Sequence, residues 1–326
     1  MDINYKILWF EDTDSSFDTL SRRTKRYIES KNLICQIDRI NSKNDFNIDI
    51  LALNNYEVLI IDLRLANHTT GYDVINEIRS GGYVNDVLFY SAEGEGSLSK
   101  IMEEHRLEGV FITERDNRKF IPKLQLLIDK SIRRAENVIN IRGIVMDITS
   151  EFDINMVDII NLSKELLGEK ETKDLKEYIF KELLKDRGDT MNKLMSKYDV
   201  NAKWEISDLL EEREFASMMK ARLLNKLLNI DNATIKSLAE VCEQVIPEAC
   251  NDSKIDFFST YNERVLQFRN ALAHVKSNSE IVGPVFIKTI NGKDYYCNQE
   301  FCYEIRNSLI NFSKLFSEVK NKLIDA

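Results

Sequence analysis

The chain has 326 residues, which is long enough for two domains of ordinary size, each with its own core. Its 43% hydrophobic and 30% charged residues are typical of a soluble globular protein. We find neither an apolar run of membrane-spanning length nor a secretory leader, so we expect a cytoplasmic protein that makes no use of the membrane. The net charge of −9 argues against non-specific duplex binding, although an acidic nuclease can still have a locally basic cleft.

Short apolar runs alternate with helical stretches over residues 1–132. The apolar runs predict strands at 6–10, 58–62, 87–92 and 109–113. The periodicity around them predicts helices at 17–30 and 119–136. Such alternation predicts a parallel sheet covered by helices.

Polar residues stand where three of these strands end. Glu11 and Asp12 follow the first strand, Asp62 ends the second, and Ser91 lies at the end of the third. Because parallel strands finish at the same edge of a sheet, we expect these side chains to lie close together.

This order of residues resembles the receiver domain of bacterial response regulators. Gly71-Tyr72-Asp73-Val74 is also similar to the start of the third helix in that family. The resemblance implies an α/β domain with a doubly wound, parallel, five-stranded sheet, and a sensor kinase or another regulatory protein as partner. It further implies that Asp62 accepts a phosphoryl group, that Ser91 senses it, and that Glu11, Asp12 and Asp62 bind Mg²⁺. Clustered carboxylates hold a hard cation, which offsets the charge of the incoming group.

The chain departs from the family at the end of the fifth strand. The family has a lysine there, whereas this sequence has Thr113 or Glu114, and the nearest cation is Arg115. The alternative is a pseudo-receiver that senses another signal or only holds a dimer together.

From about residue 120 the pattern becomes helical. An apolar stripe continues through 133–166, which we predict to be a connecting helix and a dimer element; packing on its own domain is an equal alternative. Residues 167–326 are predicted to be an all-α bundle with a small β-hairpin around Asn291-Gly292. The predicted helices of this half are 151–167, 172–185, 207–230, 233–245, 257–275 and 298–323.

One predicted helix, 257–275, has a distinctive group of polar residues. Asn270 and His274 are four residues apart and therefore share a face, with Arg269 beside them. No Asp or Glu occurs from residue 264 to residue 279. An arginine, an amide and an imidazole without nearby acids are suited to a phosphodiester.

The sequence Arg269-Asn270-Ala271-Leu272-Ala273-His274 resembles the Arg-Asn-x-x-x-His signature of the HEPN family of helical domains. Many members are metal-independent ribonucleases that act as dimers. The resemblance implies a homodimer that binds RNA and leaves 2′,3′-cyclic phosphate ends, without a cofactor for that step. His274 would be general acid or base, Arg269 would stabilise the phosphate charge, and Asn270 would orient the histidine or the phosphate. Arg264 and Lys276 are candidate RNA contacts.

Together the two resemblances predict a receiver-regulated endoribonuclease, a growth-arrest or anti-phage effector. The alternative is a catalytically silent signalling adaptor, whose helical domain dimerises or binds a partner. A DNA-binding regulator is disfavoured by the acidic balance and by the lack of a basic recognition helix.

Overall fold

In the computed structural model the chain forms two compact units, residues 1–140 and 141–326. The boundary lies in the first turn of a helix that begins at Val138, whereas the sequence places it at the connecting segment 133–166. No helix among the described residues combines the length and hydropathy of a membrane span. The structure describes residues 3–41, 55–66, 69–82, 84–105, 107, 109–184, 194–198, 204–251, 254–275, 285–290 and 292–325.

The first unit contains a five-stranded parallel sheet. Its strands are β1 Asn4–Phe10, β2 Ile34–Ile40, β3 Val58–Asp62, β4 Val87–Ser91 and β5 Val110–Glu114. They lie in the order β2-β1-β3-β4-β5. This sheet confirms the predicted parallel sheet and adds an edge strand, β2, that was not among the strands predicted from the apolar runs.

Helices cover both faces of this sheet. They are α1 Asp14–Glu29, α2 Gly71–Ser80, α3 Glu95–His105 and α4 Asn117–Ala135. Trp9 joins the cluster formed with α1 and α4, whereas Phe10 joins the cluster formed with α2 and α3, since side chains alternate along a strand. Burial on both faces explains why β3 and β4 are apolar up to their last residue.

Gly71 allows α2 to begin directly against the end of β3. A Cβ atom at this position would lie 2.2 Å from the carbonyl oxygen of Asp62. Only a residue without a side chain fits this approach, so the glycine fixes the backbone that presents Asp62.

The second unit is mostly helical. Its helices are α5 Val138–Lys164, α6 Glu169–Tyr178, α7 Ile206–Leu210, α8 Ser217–Leu228, α9 Ala233–Val245, α10 Phe257–Tyr261, α11 Gln267–His274 and α12 Gln299–Ile324. π-helical turns, Ile179–Leu184 and Asn262–Leu266, continue α6 and join α10 to α11. The strands form two antiparallel pairs, β6 Cys250–Asn251 with β7 Lys254–Ile255, and β8 Val285–Ile290 with β9 Lys293–Cys297.

The predicted hairpin is confirmed by the pairing of β8 with β9. Gly292 has a φ of +78°, the left-handed conformation that an Asn-Gly turn requires. Asn291 lies outside the described residues.

The predicted helix 207–230 is wrong as a single helix. The chain leaves helical geometry between α7 and α8, where the amide of Phe215 bonds the carbonyl of Glu212 at 3.0 Å. Phe215 is buried, and the Glu212 carboxylate accepts a hydrogen bond of 2.6 Å from the hydroxyl of Tyr198. Tertiary contacts therefore interrupt a stretch whose local charge spacing is helical.

The apolar stripe predicted to form a connecting helix lies on α5. Ile141, Val145, Ile148 and Phe152 are all buried. The ring of Phe152 lies 5.1 Å from that of Phe316 in α12, measured between centroids. The stripe thus packs within its own unit, and its role in dimerisation stays a prediction.

Candidate functional site

The predicted acidic residues meet at the carboxyl edge of the sheet. Glu11 and Asp12 directly follow β1, and Asp62 is the last residue of β3. Carboxylate oxygens of the three residues lie within 4.8 Å of one another. Glu11 and Asp62 are buried, whereas Asp12 is exposed and gives the cluster a solvent-facing member.

A chain of buried hydrogen bonds fixes the carboxylate of Glu11. Trp9 Nε1 donates to the hydroxyl oxygen of Tyr90 at 3.0 Å, and that hydroxyl donates to Glu11 Oε2 at 2.7 Å. The other oxygen, Oε1, accepts from the amide of Thr13 at 2.9 Å. Trp9 and Tyr90 are both fully buried, so this carboxylate has a defined position before any ligand binds.

Arg115 provides the positive charge beside the acidic cluster, although the sequence pattern does not predict a cation at this point. It follows β5 directly, and its amide bonds the carbonyl oxygen of Ser91 at 2.9 Å. Its guanidinium forms an ion pair with Asp62 and lies 3.6 Å from Glu11 Oε2. Lys119, a cation four residues further along the chain, pairs instead with Glu114 at 2.8 Å.

Burial and charge set the protonation of Asp62. Desolvation raises the pKa of its carboxyl to about 7; Glu11 also raises it, while the guanidinium of Arg115 opposes the change. Burial also raises the pKa of the Tyr90 phenol, and the neighbouring Glu11 adds to this effect. Tyr90 is therefore a neutral hydrogen-bond donor to Glu11 at physiological pH.

A cleft of about 260 Å³ opens above this cluster, and Asp12, Asp62, Ser91 and Arg115 are among its lining residues. The Ser91 hydroxyl oxygen accepts a hydrogen bond of 3.0 Å from the amide of Glu93. That contact leaves the hydroxyl proton of Ser91 to donate to a group in the cleft. The cleft thus combines carboxylates, a guanidinium and a hydroxyl.

The donor set of this edge fits a magnesium ion. Mg²⁺ takes oxygen ligands and is bound in many proteins by one or two carboxylates. Asp62 and exposed Asp12 can supply such ligands, while both oxygens of Glu11 already accept hydrogen bonds. Glu11 can still supply a ligand, because a carboxylate oxygen that accepts one hydrogen bond keeps a second lone pair.

The predicted polar group of the helical unit lies on α11. Asn270 and His274 are exposed on one face, whereas Phe268 and Leu272 are buried on another. Arg269 is half-buried, and its Nε atom has no hydrogen-bond partner among the described residues. The structure therefore presents the amide and the imidazole together to solvent, whereas the Nε atom of Arg269 is buried.

An arginine that the sequence did not single out holds the end of α11. Arg142 Nε donates to the carbonyl oxygen of Leu272 at 2.7 Å, and its terminal nitrogen donates to that of Val275. The last carbonyls of a helix have no partner within the helix, so Arg142 stabilises the turn that presents His274. No local sequence signal links these residues, which are 130 positions apart.

The structure describes one of the two candidate RNA contacts, Arg264. Arg264 is half-buried and pairs with Glu248 at 2.8 Å, so an acid accompanies this cation despite the acid-free sequence window. Lys276 lies outside the described residues.

The strand order 2-1-3-4-5, with acidic residues at the carboxyl edge, defines the first unit as a receiver-like domain of the doubly wound α/β class. No protein-family model matches the chain, and no curated protein matches it.

Solved structures with similar folds include three bacterial receiver domains. The receiver domain of a DNA-binding response regulator from Colwellia psychrerythraea is 16% identical, with a TM-score of 0.32, and the match covers 40% of this chain and 98% of that one. A receiver domain from Clostridium thermocellum is 21% identical, with a TM-score of 0.31 and coverage of 40% and 95%. The HemR receiver domain from Leptospira biflexa is 17% identical, with a TM-score of 0.30 and coverage of 39% and 94%.

Proposed function

We propose that the first unit is a regulatory domain that accepts a phosphoryl group on Asp62. The observation that carries this proposal is the convergence of Glu11, Asp12 and Asp62 with Arg115 at one solvent-open cleft. A carboxylate oxygen of Asp62 attacks phosphorus, the bond to the donor's leaving group breaks, and an acyl phosphate results. The donor is a sensor kinase or a small acyl phosphate.

Residues of the cleft have separate roles in this reaction. Arg115 neutralises Asp62 in the free protein, and its guanidinium then pairs with the oxygens of the transferred group, which have the geometry that arginine favours. Ser91 donates its hydroxyl proton to one of those oxygens. Glu11, Asp12 and Asp62 would hold Mg²⁺, which would offset the charge of the incoming group.

Intact-mass spectrometry after treatment with acetyl phosphate and MgCl₂ tests this proposal. We expect the wild type to gain one phosphoryl group and Asp62→Asn to gain none. Asp18→Asn, which changes an exposed carboxylate on α1, is the matched control and should be labelled like the wild type. Equal labelling of Asp62→Asn, or an unlabelled wild type, would refute the assignment.

We propose further that the helical unit is a metal-independent endoribonuclease, the output that the receiver-like unit controls. The observation that favours it is the joint exposure of Asn270 and His274 on α11, next to the half-buried Arg269. Arginine forms strong, charge-assisted hydrogen bonds to phosphate oxygens, so Arg269 is the cation of this proposed site.

In the proposed reaction the ribose 2′-oxygen bonds to phosphorus while the bond from phosphorus to the 5′-oxygen breaks. One imidazole removes the 2′ proton and a second protonates the leaving oxygen, since a single group rarely does both in one step. His274 can fill both roles if two copies face each other, so we propose a homodimer with a composite site. A growth-arrest or anti-phage role would follow from regulated cleavage of cellular RNA.

Cleavage of a mixed RNA pool in EDTA tests this second proposal. The wild type should leave 2′,3′-cyclic phosphate ends, and His274→Ala should abolish cutting. His105→Ala is the control, because His105 stacks on Tyr72 in the first unit, far from α11 in sequence. If neither the wild type nor the phosphorylated protein cuts RNA, the adaptor alternative is favoured.

A further inference from the structure

A second cavity lies in the helical unit, on the helix that carries the Arg269 motif. Its volume is about 360 Å³, within the range of small-ligand pockets. Four aromatic side chains line it: Phe268, Tyr295, Phe301 and Tyr303. Phe268 meets Tyr295 and Phe301 edge to face, with centroids 4.9 and 5.3 Å away.

The polar lining of this aromatic cavity includes two carboxylates, which only accept hydrogen bonds when ionised. They belong to Glu263 and Glu304; the other polar lining residues are Arg264, Asn307 and Ser308. A phosphate would be repelled by these carboxylates, whereas a flat ring with N–H donors on its edge matches both the aromatic walls and the acceptors.

Cations lie at the border of the cavity. Lys293 Nζ lies 4.9 Å from the ring centroid of Tyr295 and 3.9 Å from Glu304 Oε1. Arg264, a lining residue, pairs with Glu248. These cations can contact the phosphate of a nucleotide whose base occupies the cavity.

We propose that this cavity binds an unpaired guanine of the RNA substrate and thereby selects the cleavage site. Guanine presents two neighbouring N–H donors, N1 and N2, which a carboxylate such as Glu304 can accept in parallel; uracil has one donor on that edge. Phe268 is six residues from His274, or about 9 Å along a helix, so one strand of RNA can occupy both places. The inference rests on the proposed ribonuclease function.

Titration calorimetry of the full chain with GMP, AMP, CMP and UMP tests the proposal without requiring cleavage. We expect GMP to bind about tenfold or more tightly than UMP, in line with the discrimination of bidentate contacts to bases. Glu304→Gln should abolish the preference, and Tyr303→Ala should weaken GMP binding. Glu300→Gln, an exposed acid on the same helix outside the cavity, should behave like the wild type.

Two results would overturn the inference. One is equal affinity for the four nucleotides; the other is tighter binding of arginine amide than of GMP, which would indicate a protein side chain as the occupant. The ribonuclease proposal fails separately: preserved GMP binding with no RNA cleavage would refute that function alone. RNA cleavage without GMP preference would refute only the guanine site.

Discussion

Replacing Tyr90 by phenylalanine should weaken the first unit by removing the centre of the buried hydrogen-bond chain. The hydroxyl donates to the Glu11 carboxylate at 2.7 Å and accepts from Trp9 at 3.0 Å. The mutation removes one hydrogen bond to a charged group and leaves the indole N–H without its partner. We expect the free energy of unfolding to fall by about 3 kcal/mol, since each loss costs about 1–3 kcal/mol when buried.

Tyr5→Phe is the matched control for this prediction. Tyr5 is also fully buried in the same sheet, but its hydroxyl bonds the neutral Ser131 at 2.5 Å. Its loss should cost about 1 kcal/mol. Urea unfolding followed by circular dichroism measures both changes, and Mg²⁺ titration should show weaker affinity for Tyr90→Phe alone. Equal destabilisation by the two mutations, with equal Mg²⁺ affinity, would refute the positioning role of Tyr90.

Three further predictions concern other parts of the structure. Because the carboxyl pKa of Asp62 rises from 3.8 to about 7 on folding, the contribution of Asp62 to stability should fall as pH increases through that window. In EDTA at pH 8, Asp62→Asn should be more stable than the wild type by about 4 kcal/mol, with the difference vanishing near pH 4 in urea titrations. Arg142→Gln should slow RNA cleavage and lower the free energy of unfolding by about 1 kcal/mol in thermal unfolding. The reason is that the carbonyl oxygen of Leu272, at the end of α11, loses the guanidinium that donates to it. Gly71→Ala should destabilise the first unit by about 3 kcal/mol or more, because the added Cβ atom would collide with the backbone carbonyl oxygen of Asp62. Gly96→Ala, in a helix with open space around it, should change stability by less than about 1 kcal/mol, and similar effects of the two glycine mutations would contradict the account.

The sequence predicts the strands that are continuous apolar runs better than the polar edge strand β2. β3 and β4 are covered on both faces, so they are continuous apolar runs and were predicted within a residue or so of their observed ends. β2 lies at the edge of the sheet and pairs with β1. Its polar residues Gln36, Asp38 and Arg39 interrupt the apolar run from which a strand would be predicted. An edge strand with polar side chains gives too weak a signal to predict from composition alone.

The acidic cluster could be predicted because strand ends determine where side chains meet. The contribution of Arg115 could not, because its reach to Asp62 depends on side-chain conformation at the end of β5. Tyr90 lies inside an apolar strand and looks like an ordinary core aromatic until its hydroxyl is placed next to Glu11. Arg142 has no local signal, since its partners lie far along the chain.

The central claim is that a phosphoryl group on Asp62 controls an RNA-cleaving helical unit. The most direct test is the initial rate of RNA cleavage before and after acetyl phosphate treatment in Mg²⁺, for the wild type and for Asp62→Asn. The account predicts a change of rate in the wild type, no change in Asp62→Asn, and no cleavage in a His274→Ala control. Equal rates for treated and untreated wild type would contradict it.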